Sequence, residues 1–160
     1  MKKYIGTKMI QAEPAKCYWM PSGVKVIAGK SEIVAQEIVA EAVSCDEGYK
    51  VWYSDGYVSW SPKEVFEDAY RLTDAMNFGL AIEAAKMGER IARKGWNGKN
   101  MYIFIAHEAD FVTDADISAF DGVEVEVGDM FVMKTAGDTF QPGWLASQAD
   151  MLADDWYIVE

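Results

Sequence analysis

Two stretches hold the residue types that could do chemistry. Arg93, Trp96, Asn97 and Lys99 fall within Arg90–Lys99, RIARKGWNGK, and Trp144, Ser147, Gln148 and Asp150 within Phe140–Trp156, FQPGWLASQADMLADDW. Together they contain three of the six tryptophans, set among small polar side chains. An indole can stack on the flat face of a nucleobase, which is worth on the order of 1–3 kcal/mol per base. A phosphodiester or pyrophosphate asks for cations and N–H donors, and Arg93, Lys99 and the backbone of the Gly95–Gly98 turn could supply them. Ribose hydroxyls ask for an acceptor such as Asp150 and for two-way groups such as Asn97, Ser147 and Gln148. The chemistry these residues suit is capture of a compact, anionic molecule carrying a base. Trp144 and Trp156 would equally serve as core pieces of a small sheet.

Catalysis finds less support. His107 is the sole histidine and has no triad around it. The serines lack a Gly-x-Ser-x-Gly elbow, and GWNGKN has neither the spacing nor the Lys-Ser/Thr ending of a phosphate-binding loop. Asp110, Asp114 and Asp116, or Asp150, Asp154 and Asp155, could in principle hold Mg²⁺ for phosphodiester cleavage, but neither group brings histidine partners. The expectation is a binding protein, not an enzyme, with no metal and no cofactor.

The formal charge of −11 argues against a nucleic-acid polymer as partner. Charge is unevenly spread, however. Residues 86–99 carry five cations against one acid, whereas residues 101–160 carry one lysine against thirteen acids. An acidic protein with one small basic site suits a compact anion. No apolar run is long enough to span a bilayer, and the start lacks the apolar core of a secretion signal, so the cytosol is expected. Cys17 and Cys45 are widely spaced and without histidine partners, which reads as two reduced packing thiols.

The elements that must position these residues follow from periodicity. Tyr4–Ile10 and Val24–Ala28 read as strands, separated by turns at Pro14, Pro21 and Gly23. Ser31–Val43 reads as a helix capped by Ser31, and Gly48–Tyr53 and Tyr57–Trp60 as a hairpin closed by Ser54-Asp55-Gly56, with Trp52, Tyr57 and Trp60 as hairpin packing. Ser61-Pro62-Lys63-Glu64 has the form of a capping box opening a helix to about Tyr70. RLTDAM, residues 71–76, reads as a linker.

Beyond it, Asn77 can cap a helix to about Met87, with Phe78, Ile82 and Ala85 on one face and Gly88 past its end. Strands are expected at Glu89–Lys94, Met101–His107, Asp129–Ala136 and Trp156–Val159. Met101–His107 is apolar on both faces, so it should be buried twice, against the domain's helix and against another subunit. Ala109–Gly128 reads as an acidic loop with a short strand near Val123–Val127, and Trp144–Ala153 as a helical piece. The fold class is therefore α+β. An N-terminal strand, hairpin and helix module (1–72) precedes a mainly antiparallel sheet with one long helix (76–160).

MNFGLAIEAAKMGERIARKGWNGKNMYI, residues 76–103, and FQPGWLASQADMLADDWYIVE, residues 140–160, resemble the phage domain described as the second Thoeris anti-defence family. GYKVWYSDGYVSWSPKEVFEDAYR, residues 48–71, resembles a small module recurring in phage proteins, with no activity attached to it. The first resemblance implies a sponge that binds cyclic nucleotide immune signals without cleaving them. Glycocyclic ADP-ribose comes first and cyclic di- or trinucleotides form a second class, so that Thoeris and CBASS immunity would be blocked in the infected cell's cytosol. It further implies a homo-oligomer, usually a tetramer, with pockets at subunit boundaries. Carried over residue by residue, the family's site is Trp96, Asn97, Trp144, Ser147 and Asp150. The N-terminal module and the acidic insert at 109–128 depart from the minimal family form. A phosphodiesterase acting on the same signals, or a non-catalytic interaction adaptor, are the rival expectations.

Overall fold

The computed structural model describes residues 7–107 and 128–160. The chain divides into two compact units, Met1–Arg71 and Leu72–Glu160. Each has its own antiparallel sheet, and four helices occur among the described residues, so the fold is α+β.

In the N-terminal unit, β1 (Gln11–Trp19), β2 (Lys25–Gly29), β3 (Ser44–Trp52) and β4 (Val58–Pro62) form a sheet in the order β2-β1-β3-β4. The Asp-Gly signal marks the β3–β4 hairpin correctly. Gly56 takes φ +85°, a left-handed conformation open to glycine, and the Tyr57 amide donates to Asp55 Oδ1 at 3.0 Å. Helix α2 (Lys63–Ala69) brings Phe66 onto Tyr49 of β3, the rings stacked at 4.1 Å. Trp60 meets Trp19 edge to face at 6.3 Å.

Several expectations for this unit are corrected. The first described strand begins at Gln11, not within Tyr4–Ile10; residues 4–6 of that stretch lie outside the described residues. Pro14 sits inside β1 instead of ending it. β2 pairs only as far as Ala15, so the edge beside Pro14 needs no amide donor. The helix expected over Ser31–Val43 shortens to α1 (Gln36–Glu41), with no side-chain cap. Glu32 is held in a turn instead, accepting the Gly29 amide at 2.8 Å and pairing with Lys50. Ser61 is a strand residue opposite Tyr49, so the capping box does not form and Pro62 takes the cap position. Both cysteines are free, but only Cys17 is buried; Cys45 is exposed.

In the C-terminal unit, α3 (Phe78–Lys86) precedes β5 (Ile91–Arg93), β6 (Tyr102–Ala106), β7 (Met130–Lys134), β8 (Phe140–Pro142), α4 (Gln148–Met151) and β9 (Trp156–Ile158). The sheet runs β8-β7-β6-β5-β9, with every neighbour antiparallel. Asn77 caps α3 as expected, its Oδ1 accepting the Leu80 amide at 2.9 Å, and Gly88 past the end takes φ +94°. The helix is only nine residues, not long, and its buried face is Ala81, Ala84 and Ala85. These small residues let the helix approach a core of Met76, Ile91, Ile103 and Trp156 closely.

Ile103 and Ile105 of β6 turn toward that core beside Phe131 and Met133, while Tyr102 and Phe104 turn to the opposite face, where Phe104 meets Phe140 at 6.0 Å. β6 is therefore apolar on both faces. β8 was not expected, because Pro142 reads as a breaker. As the outer strand it has no second neighbour to supply with an amide. Met76, expected in the linker, exchanges two backbone hydrogen bonds with Trp156, at 2.8 and 3.1 Å. The strand expected at Val123–Val127 and the rest of 109–127 lie outside the described residues.

Candidate functional site

Arg93 ends β5, and the register sets it opposite Trp156 at the start of β9. That pairing carries the guanidinium to Asp150, within α4, and Asp155, just beyond it. Arg93 Nε donates to Asp155 Oδ1 at 2.8 Å, and Nη1 donates to Asp150 Oδ1 at 2.8 Å and to the Ala149 carbonyl at 3.1 Å. Asp155 Oδ2 also accepts the Gly95 amide at 2.7 Å. A Cβ on Gly95 would sit 2.9 Å from that oxygen, so glycine is what lets the carboxylate close on the backbone.

Asp150 is more heavily used still. Its Oδ1 accepts from Arg93 and from the Trp96 indole N–H at 3.0 Å; its Oδ2 accepts from the Ser147 amide at 3.0 Å and hydroxyl at 2.6 Å. Ser147 in return accepts the Asp150 amide, which completes a capping box on α4. The helix is one turn, Gln148–Met151, shorter than the expected Trp144–Ala153, and leaves Trp144 and Leu145 outside it. Burial by itself would raise the Asp150 carboxyl. Donation from Ser147, Arg93 and Trp96 outweighs it and holds the group at about 2. Asp155 is lowered by its bond to Arg93, and Arg93 is raised by Asp155 and Asp150.

The indoles form a cluster of edge-to-face contacts. Trp156 is fully buried and donates its N–H to the Asp150 carbonyl at 3.0 Å. Trp96 lies 5.5 Å from it at 77°, and Trp144 6.3 Å at 79°. Trp96 and Trp144 pack partly against the core and keep part of each ring at the surface. Such edge-to-face contacts suit ring quadrupoles. They leave single faces or edges for a flat ligand, not a parallel pair.

Of the eight expected site residues, Arg93, Trp96, Ser147 and Asp150 are joined directly by hydrogen bonds, and Trp144 adjoins them through Trp96. Asn97, Lys99 and Gln148 are exposed on the same two segments. Both oxygens of Asp150, expected to meet a ribose, already accept from within the domain. In the sequence Asp155 reads only as one of the possible metal-binding acids, yet in the fold it organises the turn. The usable signal was its position just before a strand that pairs with the basic β5. Among the described residues no group of three His, Cys, Asp or Glu could hold a metal ion; Asp110, Asp114 and Asp116 lie outside them. His107 Nδ1 lies 2.8 Å from Asp129 Oδ1 at the end of β6. No helix among the described residues is long and apolar enough to cross a membrane.

Comparison with known proteins covers this same unit. The model of the Thoeris anti-defense 2-like domain matches residues 76–159. A protein named Thoeris anti-defense 2, from Bacillus phage SP01, is 38% identical over 85 residues, which are 52% of this chain and 94% of that relative. Both Trp-bearing segments and the carboxylates that join them fall inside the matched span, and the chain belongs to the Thoeris anti-defense 2-like family.

Proposed function

We propose that the C-terminal unit binds and holds a cyclic nucleotide immune signal without cleaving it, glycocyclic ADP-ribose first and cyclic di- or trinucleotides as a second class. The observation that carries this reading is the Gly95–Lys99 turn. Exposed Asn97 and Lys99 flank a Trp96 ring whose orientation is fixed by Asp150 and whose surface is only partly covered. One ring face offers stacking, Lys99 and neighbouring Lys94 offer charge to a phosphate, and Asn97 and Gln148 offer two-way hydrogen bonds. Arg93 and Asp150 hold that surface in place instead of meeting the ligand, and the exposed Ser147 caps α4 beside it.

Sequestration also needs no acid–base pair, and Asp150 and Asp155 are committed to Arg93. We take the protein as a cytosolic homo-oligomer, a tetramer by family resemblance. The aromatic second face of the C-terminal sheet, with Tyr102, Phe104 and a largely exposed Phe140, supports self-association.

The test is recovery. Purified protein is incubated with glycocyclic ADP-ribose, freed of unbound ligand and heated, and the supernatant is analysed. Intact ligand is expected in proportion to protein. Hydrolysed product alone would point to a phosphodiesterase, and no retained ligand would point to an adaptor.

A further inference from the structure

The Asp150 carboxylate joins two segments that are separate in sequence. Through Oδ1 it fixes the Trp96 indole and the Arg93 fork; through Oδ2 it closes the cap that starts α4. Trp96 belongs to the β5–β6 turn, and Ser147 and Gln148 to the segment after β8. One carboxylate thus sets the angle of a ring on one segment and the position of polar groups on the other. Asp155 performs a matching task for the backbone, taking the Gly95 amide and Arg93 Nε.

We infer that Asp150 is a positioning residue for ligand capture, acting through Trp96 and backed by Arg93, and that it does not itself contact the ligand. This rests on the sequestration reading above. With both oxygens accepting two donors each, the group has no acceptor capacity directed outward, yet every donor it holds belongs to a segment the ligand would touch. Its substitution by asparagine keeps the shape, removes the charge and turns an NH₂ toward groups that are themselves donors. A ring that loses its anchor still packs against Trp156, but samples more than one tilt.

The experiment is a double-mutant cycle on the full chain. Wild type, Trp96→Phe, Asp150→Asn and the double variant are titrated with glycocyclic ADP-ribose, and the indole N–H resonances are recorded without ligand. Asp150→Asn is expected to weaken binding about tenfold to a hundredfold and to move the Trp96 indole resonance, identified by its loss in Trp96→Phe. The double variant should bind no more weakly than Trp96→Phe alone.

Losses that multiply, or an unmoved Trp96 resonance, overturn the inference while leaving sequestration standing. A wild type that binds no probe overturns both. Should Asp150→Asn fail to fold, Arg93→Lys replaces it in the cycle: it keeps the charge but cannot serve Asp150 and Asp155 together. Its loss should likewise vanish in the Trp96→Phe background, and a loss that persists there overturns the inference.

Discussion

Trp96 and Trp144 meet edge to face, their centroids 6.2 Å apart and their planes at 65°. Two rings so disposed cannot close on opposite faces of one flat base. Any stacking falls to one of them, while the other lines a wall or serves as packing. Trp144 has the stronger claim to packing, because its ring also meets Phe131 at 6.0 Å.

Replacing the two indoles should therefore separate affinity from stability. Trp96→Ala is expected to weaken cyclic nucleotide binding by on the order of 1–3 kcal/mol. Trp144→Ala should lower the unfolding midpoint more than Trp96→Ala does. Isothermal titration alongside thermal melts checks the pair; equal losses in both measurements would mean that the rings share one role.

Acid should destabilise the C-terminal unit through Asp150. Its carboxyl drops from an ordinary value near 3.8 to about 2 in the fold. A depressed carboxyl contributes stability that is complete above the unfolded value and is lost as pH falls through the folded one. The window therefore runs from about pH 4 down to about 2, and the contribution is about 2 kcal/mol. Asp155, also lowered, acts in the same direction. Denaturant melts across this range should show the loss, and Asp150→Asn should flatten it.

Gly95→Ala tests the closure of Asp155 on the turn. The added methyl would stand 2.9 Å from Asp155 Oδ2 and 3.2 Å from Arg93 Nη2. The expected result is a destabilisation of about 1–3 kcal/mol, with weaker ligand binding at temperatures where the unit stays folded. Gly98→Ala would meet the Met101 side chain and, at 2.9 Å, the Ala136 Cβ, which cannot swing aside, so it should cost at least as much. Chemical denaturation of the two variants side by side gives the answer.

Gly48→Ala probes the N-terminal unit separately. A Cβ there would stand 2.2 Å from the Ser61 carbonyl oxygen and 2.7 Å from Trp60 Nε1, and the backbone contact cannot swing aside. Loss of about 1–3 kcal/mol or more is expected in the melting of that unit. The cyclic nucleotide affinity proposed for the other unit should be unchanged.

Legibility in the sequence tracked the distance between a signal and its partner. Asn77, Gly88 and Asp55-Gly56 were readable because each acts on residues at most three positions away. Ser61 failed for the converse reason: its local cap pattern lost to cross-strand pairing with Tyr49. Ser147 was picked out as polar, but its role in a capping box went unread because the helix was expected to begin at Trp144. Asp155 reaches Gly95 across sixty positions, and no spacing rule reports such a contact. β8 stayed hidden because whether Pro142 is tolerated depends on its being outermost, which is a property of the finished sheet.

The two backbone bonds between Met76 and Trp156 bring the chain's first and last crossings of the C-terminal unit side by side. A unit whose ends meet on one edge can be grafted onto a neighbour, or have a neighbour grafted onto it, without disturbing its interior. The upstream unit can then be joined to this one, or left off, without rebuilding the sheet.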